Sequence, residues 1–135
     1  MRNILARTLK MPINLKRLRT LALEEVEATL AELPAPLREK ARALPVTLER
    51  APNAAHVRDG ILPDTLGLFV GSEFAHEETS ALPLPPQFIL FLENLWDQAE
   101  ADEELFREEV RTTFMHELGH YLGLDEEDLF DRGLE

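Results

Sequence analysis

The chain has 135 residues, which is the size of one domain and is enough to bury a hydrophobic core without covalent cross-links. It contains no cysteine, which excludes a disulfide scaffold, a thiolate metal site and a cysteine nucleophile. Its 14 basic and 26 acidic residues give a net charge of −12, which argues against nucleic acid or an anionic membrane as a binding partner.

The charge is distributed unevenly along the chain. Residues 1–20 hold six basic side chains and no acid, whereas residues 93–135 hold fifteen acids and three bases. The basic start lacks the uninterrupted apolar stretch of an export signal, and no apolar run approaches the roughly 20 residues of a membrane helix. Together with the absence of cysteine, these features predict a cytoplasmic protein without a membrane-spanning segment.

Helices are predicted for the first third of the chain. Residues 1–16 are interpreted as a basic extension of uncertain order, and residues 17–135 as a single domain. From Leu18 onwards, apolar residues recur at helical spacing until Pro34, which predicts an amphipathic helix. A second helical segment is predicted over residues 36–44, with Leu37 and Ala41 facing inward, and Pro45 ends it.

Three short segments have the character of β-strands. Residues 46–50 alternate apolar and polar side chains, residues 66–70 are β-branched and aromatic, and residues 87–92 are apolar enough for a central strand. A loop carrying His56 and Arg58 is predicted between the first two strands. The order of helices, strands and a late long helix predicts an α+β fold with a small, twisted, mostly antiparallel sheet.

The late helix is predicted to begin after Asp102, which is its expected N-cap. The preceding residues, 93–102, are predicted to form an acidic loop or a short helix. An apolar stripe on this helix is expected to face the core; it consists of Phe106, Val110, Phe114, Leu118 and Tyr121. At about 100° per residue, the centre of the stripe lies about 120° away from His116 and His120. Both imidazoles therefore point away from the core and can share one ion.

These two histidines form the sequence His-Glu-Leu-Gly-His, in which residues one helical turn apart offer two neutral nitrogens to a divalent cation. Glu117 stands beside them as an available general base. Gly123 follows the second histidine by three residues and can adopt the left-handed conformation that ends the helix. The chain then turns back, so that an acid three residues later can reach the metal.

Residues 116–126 resemble the extended HExxHxxGxx(H/D) motif of the zincin superfamily of metallopeptidases. Roughly residues 18–132 also resemble a family of small bacterial zinc metallopeptidases of the zincin type. The resemblance is carried by the N-terminal helix, the Leu-Gly-Leu-Phe segment and the acidic stretch before the motif. It implies a minimal zincin-like domain that contains one zinc ion.

The resemblance also implies a role for each residue of the motif. His116, His120 and Glu126 are the expected zinc ligands, and Glu117 is the expected general base. The family usually has Asp where this chain has Glu126, and Asp125 stands just before it. Asp125 is therefore the alternative third ligand, although the longer Glu side chain also binds zinc.

The implied activity is zinc-dependent hydrolysis of peptide bonds by a metal-activated water, with a peptide or an unfolded protein as substrate. An extended peptide is expected to pair with an exposed strand edge, from residues 66–70 or 88–92. Tyr121, His76 and Arg58 are candidates for stabilising the oxyanion, although Tyr121 lies on the apolar stripe.

Two other functions stay open on the sequence alone. One is a non-catalytic metal-binding module, whose acidic C-terminal third meets a basic protein partner. The other is a peptidase that needs a second chain to complete its cleft, since only nine residues follow Glu126. The substrate, the native metal and the oligomeric state are not specified by these patterns.

Overall fold

The structure, a computed structural model, describes residues 13–71 and 86–123. Five helices and three strands follow one another along these residues. In chain order they are α1 (Leu15–Glu32), α2 (Ala35–Arg42), β1 (Val46–Glu49), α3 (Ala54–Arg58), β2 (Gly67–Val70), β3 (Gln87–Phe91), α4 (Leu92–Gln98) and α5 (Glu103–Leu122). The predicted α+β class is confirmed.

Helix α1 begins earlier than its apolar pattern predicts. The side chain of Asn14 accepts a hydrogen bond of 3.0 Å from the Arg17 main-chain N–H, so the helix begins at Leu15 rather than at Leu18. The predicted apolar face is buried, and Leu33 and Pro34 end the helix in extended conformation. Helix α2 follows at once, with proline in its first turn.

The three strands form one sheet in the order β1-β3-β2. All three lie within one residue of the predicted segments, and β3 is the central strand, as its apolar character predicts. Strand β2 pairs with β3 in antiparallel orientation, with Phe69 opposite Phe88, whereas β1 pairs with β3 in parallel orientation. The sheet is therefore mixed, which corrects the expected predominance of antiparallel pairing, because hydrophobic patterning does not encode the direction of a neighbouring strand.

A second correction concerns the predicted loop between β1 and β2, where the structure has the short helix α3. Asn53 and His56 form a reciprocal capping box: the Asn53 side chain accepts from the His56 N–H, and the His56 ring accepts from the Asn53 N–H. The prediction missed this helix because five residues are too few to show a helical period.

The hydrophobic core lies between the sheet and the helices. Strand β3 is almost fully buried, and α5 contacts β2, β3, α1 and α4. Ion pairs join the surfaces of α1 and α5, including Arg17 with Glu103 at 2.8 Å and Arg107 with Glu24 at 2.8 Å. This packing fixes the side of α5 that faces β2.

Within residues 13–71 and 86–123, each helix falls short of the length or the apolar character that crossing a bilayer requires.

Candidate metal centre

Helix α5 supports the candidate site, and its two ends have the predicted form. The Asp102 side chain accepts a hydrogen bond of 2.9 Å from the Leu105 N–H, which confirms Asp102 as the N-cap. At the other end, Gly123 has a φ of 72° and its N–H bonds to the carbonyl oxygen of His120 at 3.2 Å. The helix therefore ends at Leu122, two residues after the second histidine, and the left-handed glycine that the sequence predicts follows it.

The apolar stripe of α5 holds the helix in place. Phe106, Val110, Phe114 and Leu118 are fully buried. Tyr121 is partly buried, and its ring packs 5.2 Å from Phe69 and 5.8 Å from Phe88 between centroids. The stripe therefore fixes the rotation of α5 about its axis, and with it the direction of the neighbouring histidines.

His116, Glu117 and His120 form a cluster in which the two histidines lie on the solvent side of α5 and Glu117 lies beside the stripe, facing β2. Each offers one potential ligand atom, and these atoms all lie within 4.8 Å of one another. The two imidazole rings are 4.4 Å apart between centroids, and both histidines are exposed. An ion from solvent can therefore reach both nitrogens.

Glu117 differs from the two histidines because it is buried, with 8% of its surface exposed. Its Oε1 accepts a hydrogen bond of 3.0 Å from the main-chain N–H of Phe69 in β2. The same oxygen lies 3.1 Å from Nδ1 of His120. An ionised carboxylate only accepts hydrogen bonds, so this contact matches the tautomer of His120 with its proton on Nδ1, in which Nε2 keeps its lone pair for a metal.

The donor set of this cluster fits zinc. Imidazole nitrogen and carboxylate oxygen are both zinc ligands, and a catalytic zinc site takes three protein ligands and keeps one position open. The two exposed histidines supply two nitrogens, whereas Glu117 is already hydrogen-bonded to the sheet. The sequence predicts a third ligand from outside α5, and its candidates, Glu126 and Asp125, lie outside the described residues.

Two of the three predicted oxyanion residues are described by the structure, and they lie on different helices, Tyr121 on α5 and Arg58 on α3. Tyr121 packs between aromatic rings, as an apolar-stripe residue does. Arg58 is exposed at the end of α3, whereas the ring of His56 caps that helix and stands edge-on to Phe91 at 5.4 Å between centroids. His76 lies outside the described residues.

Sequence patterns missed two features of the site. The contact between the Phe69 N–H and Glu117 joins residues 48 positions apart, so no local pattern contains it. The second feature is the close approach of β2 to α5 at Gly67, where a Cβ would lie 2.7 Å from Cγ2 of Thr113. A glycine inside a short apolar strand was the available signal of this close approach.

The comparisons with known proteins agree with this geometry. A family model described as zincin-like metallopeptidase matches residues 41–134, which include the whole sheet, α5 and the motif of residues 116–126. No curated protein matches the chain. Since the family model covers well over half of the sequence, the chain belongs to the zincin-like metallopeptidase family.

Proposed function

We propose that this protein is a zinc-dependent peptidase that binds one zinc ion and hydrolyses peptide bonds. The observation that carries the proposal is the cluster of His116, Glu117 and His120, whose ligand atoms lie within 4.8 Å of one another. The family assignment supports the same reading. Bound zinc supplies Lewis-acid chemistry, which polarises a substrate carbonyl and makes a water molecule more acidic.

Within this proposal, the residues of the chain have separate tasks. His116 and His120 hold the metal together with Glu126, for which Asp125 is the alternative. Glu117 takes the proton of the attacking water at one carboxylate oxygen and returns it to the leaving amine. Its burial and its two contacts support a base rather than a ligand, because they hold the carboxylate against β2.

The proposed substrate is a peptide or an unfolded protein segment. Strand β2 is at the edge of the described sheet, next to Glu117, whereas β3 is covered on both sides by neighbouring strands. Of the two candidate edges that the sequence suggested, β2 is therefore the one that supports pairing with an extended peptide, through outward main-chain groups other than the Phe69 N–H, which donates to Glu117. Such pairing uses main-chain groups, so an unfolded segment would bind without a particular side chain in its sequence.

The experiment that tests the function measures zinc binding and peptide hydrolysis on the purified full chain. We expect tight one-to-one zinc binding and cleavage of unfolded protein, with turnover abolished in Glu117→Gln and zinc affinity retained. Glu108→Gln is the matched control, because Glu108 is an exposed glutamate on the same helix. Zinc affinities of Glu126→Ala and Asp125→Ala then identify the third ligand.

The same experiment separates the competing functions. Zinc binding with no cleavage by the chain alone contradicts a self-sufficient peptidase and favours the non-catalytic module. Cleavage that appears only when a second protein is added favours a cleft completed by a partner. Failure to bind zinc at micromolar concentration overturns the metal centre and the peptidase together.

A further inference from the structure

Strand β2 points a main-chain donor at Glu117. In antiparallel sheets, alternate residues turn their N–H and C=O groups to the neighbouring strand or away from it. The Phe88 N–H donates to the carbonyl of Pro45, on the β1 side, so its partner Phe69 turns its N–H away from β3. That N–H donates to Oε1 of Glu117 at 3.0 Å.

Two contacts hold β2 against α5 on either side of Glu117. One helical turn before Glu117, Thr113 of α5 lies against Gly67 of β2. A Cβ at Gly67 would lie 2.7 Å from Cγ2 of Thr113 and 3.0 Å from the Ile89 carbonyl oxygen, so the strand and the helix approach as closely as glycine allows. One turn after Glu117, the ring of Phe69 packs on Tyr121. The distance between the Phe69 N–H and the carboxylate is therefore set by packing on both sides.

The two oxygens of Glu117 are in different environments. Oε1 accepts from Phe69 and contacts Nδ1 of His120, whereas Oε2 receives no hydrogen bond from the part of the chain that the structure describes. A carboxylate held by one oxygen keeps its orientation while the other oxygen exchanges a proton.

We infer that the main-chain N–H of Phe69 is a positioning group for Glu117, and that Gly67 is the residue that permits it. By binding Oε1, the N–H leaves Oε2 as the oxygen that takes the proton. This inference rests on the proposed role of Glu117 as general base, but the hydrogen bond itself is testable without any turnover.

The first test is amide hydrogen exchange of the ¹⁵N-labelled, metal-free full chain. Loss of a hydrogen bond to a charged group changes the equilibrium constant for local opening by about tenfold or more. The Phe69 amide should therefore exchange at least about ten times faster in Glu117→Ala than in the wild type. Glu108→Ala is the matched control and should leave the Phe69 rate unchanged. An equal Phe69 rate in wild type and Glu117→Ala overturns the inference.

A second variant covers the case in which Glu117→Ala does not fold. Glu117→Gln keeps the size of the side chain and exchanges the charged acceptor for a weaker neutral one. We expect a smaller acceleration of Phe69 exchange and an upfield shift of its amide proton. An unchanged proton shift in a folded Glu117→Gln protein also overturns the inference.

The second test compares Phe69→Pro with Phe69→Ala. Both remove the ring, but only proline removes the N–H, and the β2–β3 ladder does not use that N–H. We expect kcat of the proline variant to fall at least about tenfold below that of the alanine variant, with KM and zinc affinity within about twofold. Equal kcat values in the two variants contradict the positioning role.

Gly67→Ala gives an independent approach to the same contact. The added methyl group has to move Thr113 or the strand, so the Phe69 amide should exchange faster while zinc affinity is retained. If the wild type cleaves no peptide, the proposed function fails, and the exchange comparison alone decides the positioning inference. The two failures are therefore distinguishable.

Discussion

The two halves of α5 handle charge in different ways. In the first half, Glu103, Arg107 and Arg111 pair with oppositely charged side chains of α1, one helical turn after another. In the second half, Glu117 meets a main-chain N–H and an imidazole among the described residues, instead of an arginine or a lysine. Charge is thus neutralised by ion pairs at one end, whereas potential metal-ligand atoms lie close together at the other.

This difference separates stability from function along a single helix. Exposed ion pairs contribute little each and can be lost one at a time, whereas a metal centre depends on every ligand. The buried stripe supports both halves, because it determines which way the charged side chains point. Mutations in the two halves are therefore expected to have separate effects, on stability in the first half and on metal affinity in the second.

The largest effect is expected at the buried stripe. Phe114 is fully buried and its ring stands edge-on to Phe88 at 5.2 Å between centroids. Replacing it with alanine removes a large apolar side chain and leaves a cavity, so Phe114→Ala should lower the free energy of unfolding by about 3–5 kcal/mol. Urea unfolding followed by circular dichroism measures the loss. A change below about 1 kcal/mol would show that this half of the helix is not held by the core.

The next largest effect is expected on zinc affinity, with little change in stability. The side chain of His120 is 55% exposed and Glu117 keeps the Phe69 N–H as a partner, so His120→Ala should change the stability of the metal-free chain by no more than about 1 kcal/mol. Zinc affinity should fall by about a hundredfold or more, since even residues behind the ligands contribute 10- to about 100-fold. Titration calorimetry measures the affinity, with Glu108→Ala as the control. Equal zinc affinity in His120→Ala and wild type would remove His120 from the centre.

A smaller effect is expected in the first half of the helix. Arg111 hydrogen-bonds Glu32 of α1 at the surface. Because solvent screens this pair, Arg111→Ala should cost at most about 1 kcal/mol of unfolding free energy, and zinc affinity should not change. A loss of zinc affinity in this variant would break the proposed separation between the two halves.

The smallest effect is the response of the ion pairs to acid. Hydrogen bonds from Arg111, Arg42 and Arg17, with the positive charges of these groups, lower the pKa of Glu32, Glu27 and Glu103 below the usual 4.5. A carboxyl group whose pKa is lower in the folded protein stabilises it above the unfolded pKa. That contribution is lost as the pH falls through the lower, folded value.

The melting temperature of the metal-free chain should therefore fall modestly as the pH decreases below about 4.5, and less steeply at high salt. Thermal unfolding between about pH 6 and about pH 3 measures this dependence. A triple variant with glutamine at positions 27, 32 and 103 is the control and should show a flatter profile. An identical profile in the variant would mean that these pairs add nothing to stability.

Local chemistry accounts for most of what could be predicted from the sequence. The helix ends at Asp102 and Gly123 depend on neighbouring backbone groups, and the three strands depend on short apolar runs. The stripe of α5 and the exposed histidines follow from a helical period that is long enough to be unambiguous. The assignment of Glu126, Asp125 and His76 stays a prediction, because these residues lie outside the described ranges.

The sequence by itself determined the class of the fold, the helix that bears the motif and the side of that helix on which both histidines lie. Only the tertiary structure decided the direction of β1 and the burial of Glu117. It also decided that Glu117 receives the Phe69 N–H, across a separation of 48 residues. The physical reason is that period and capping act within a few residues, whereas strand pairing and the approach of β2 to α5 join distant segments through packing.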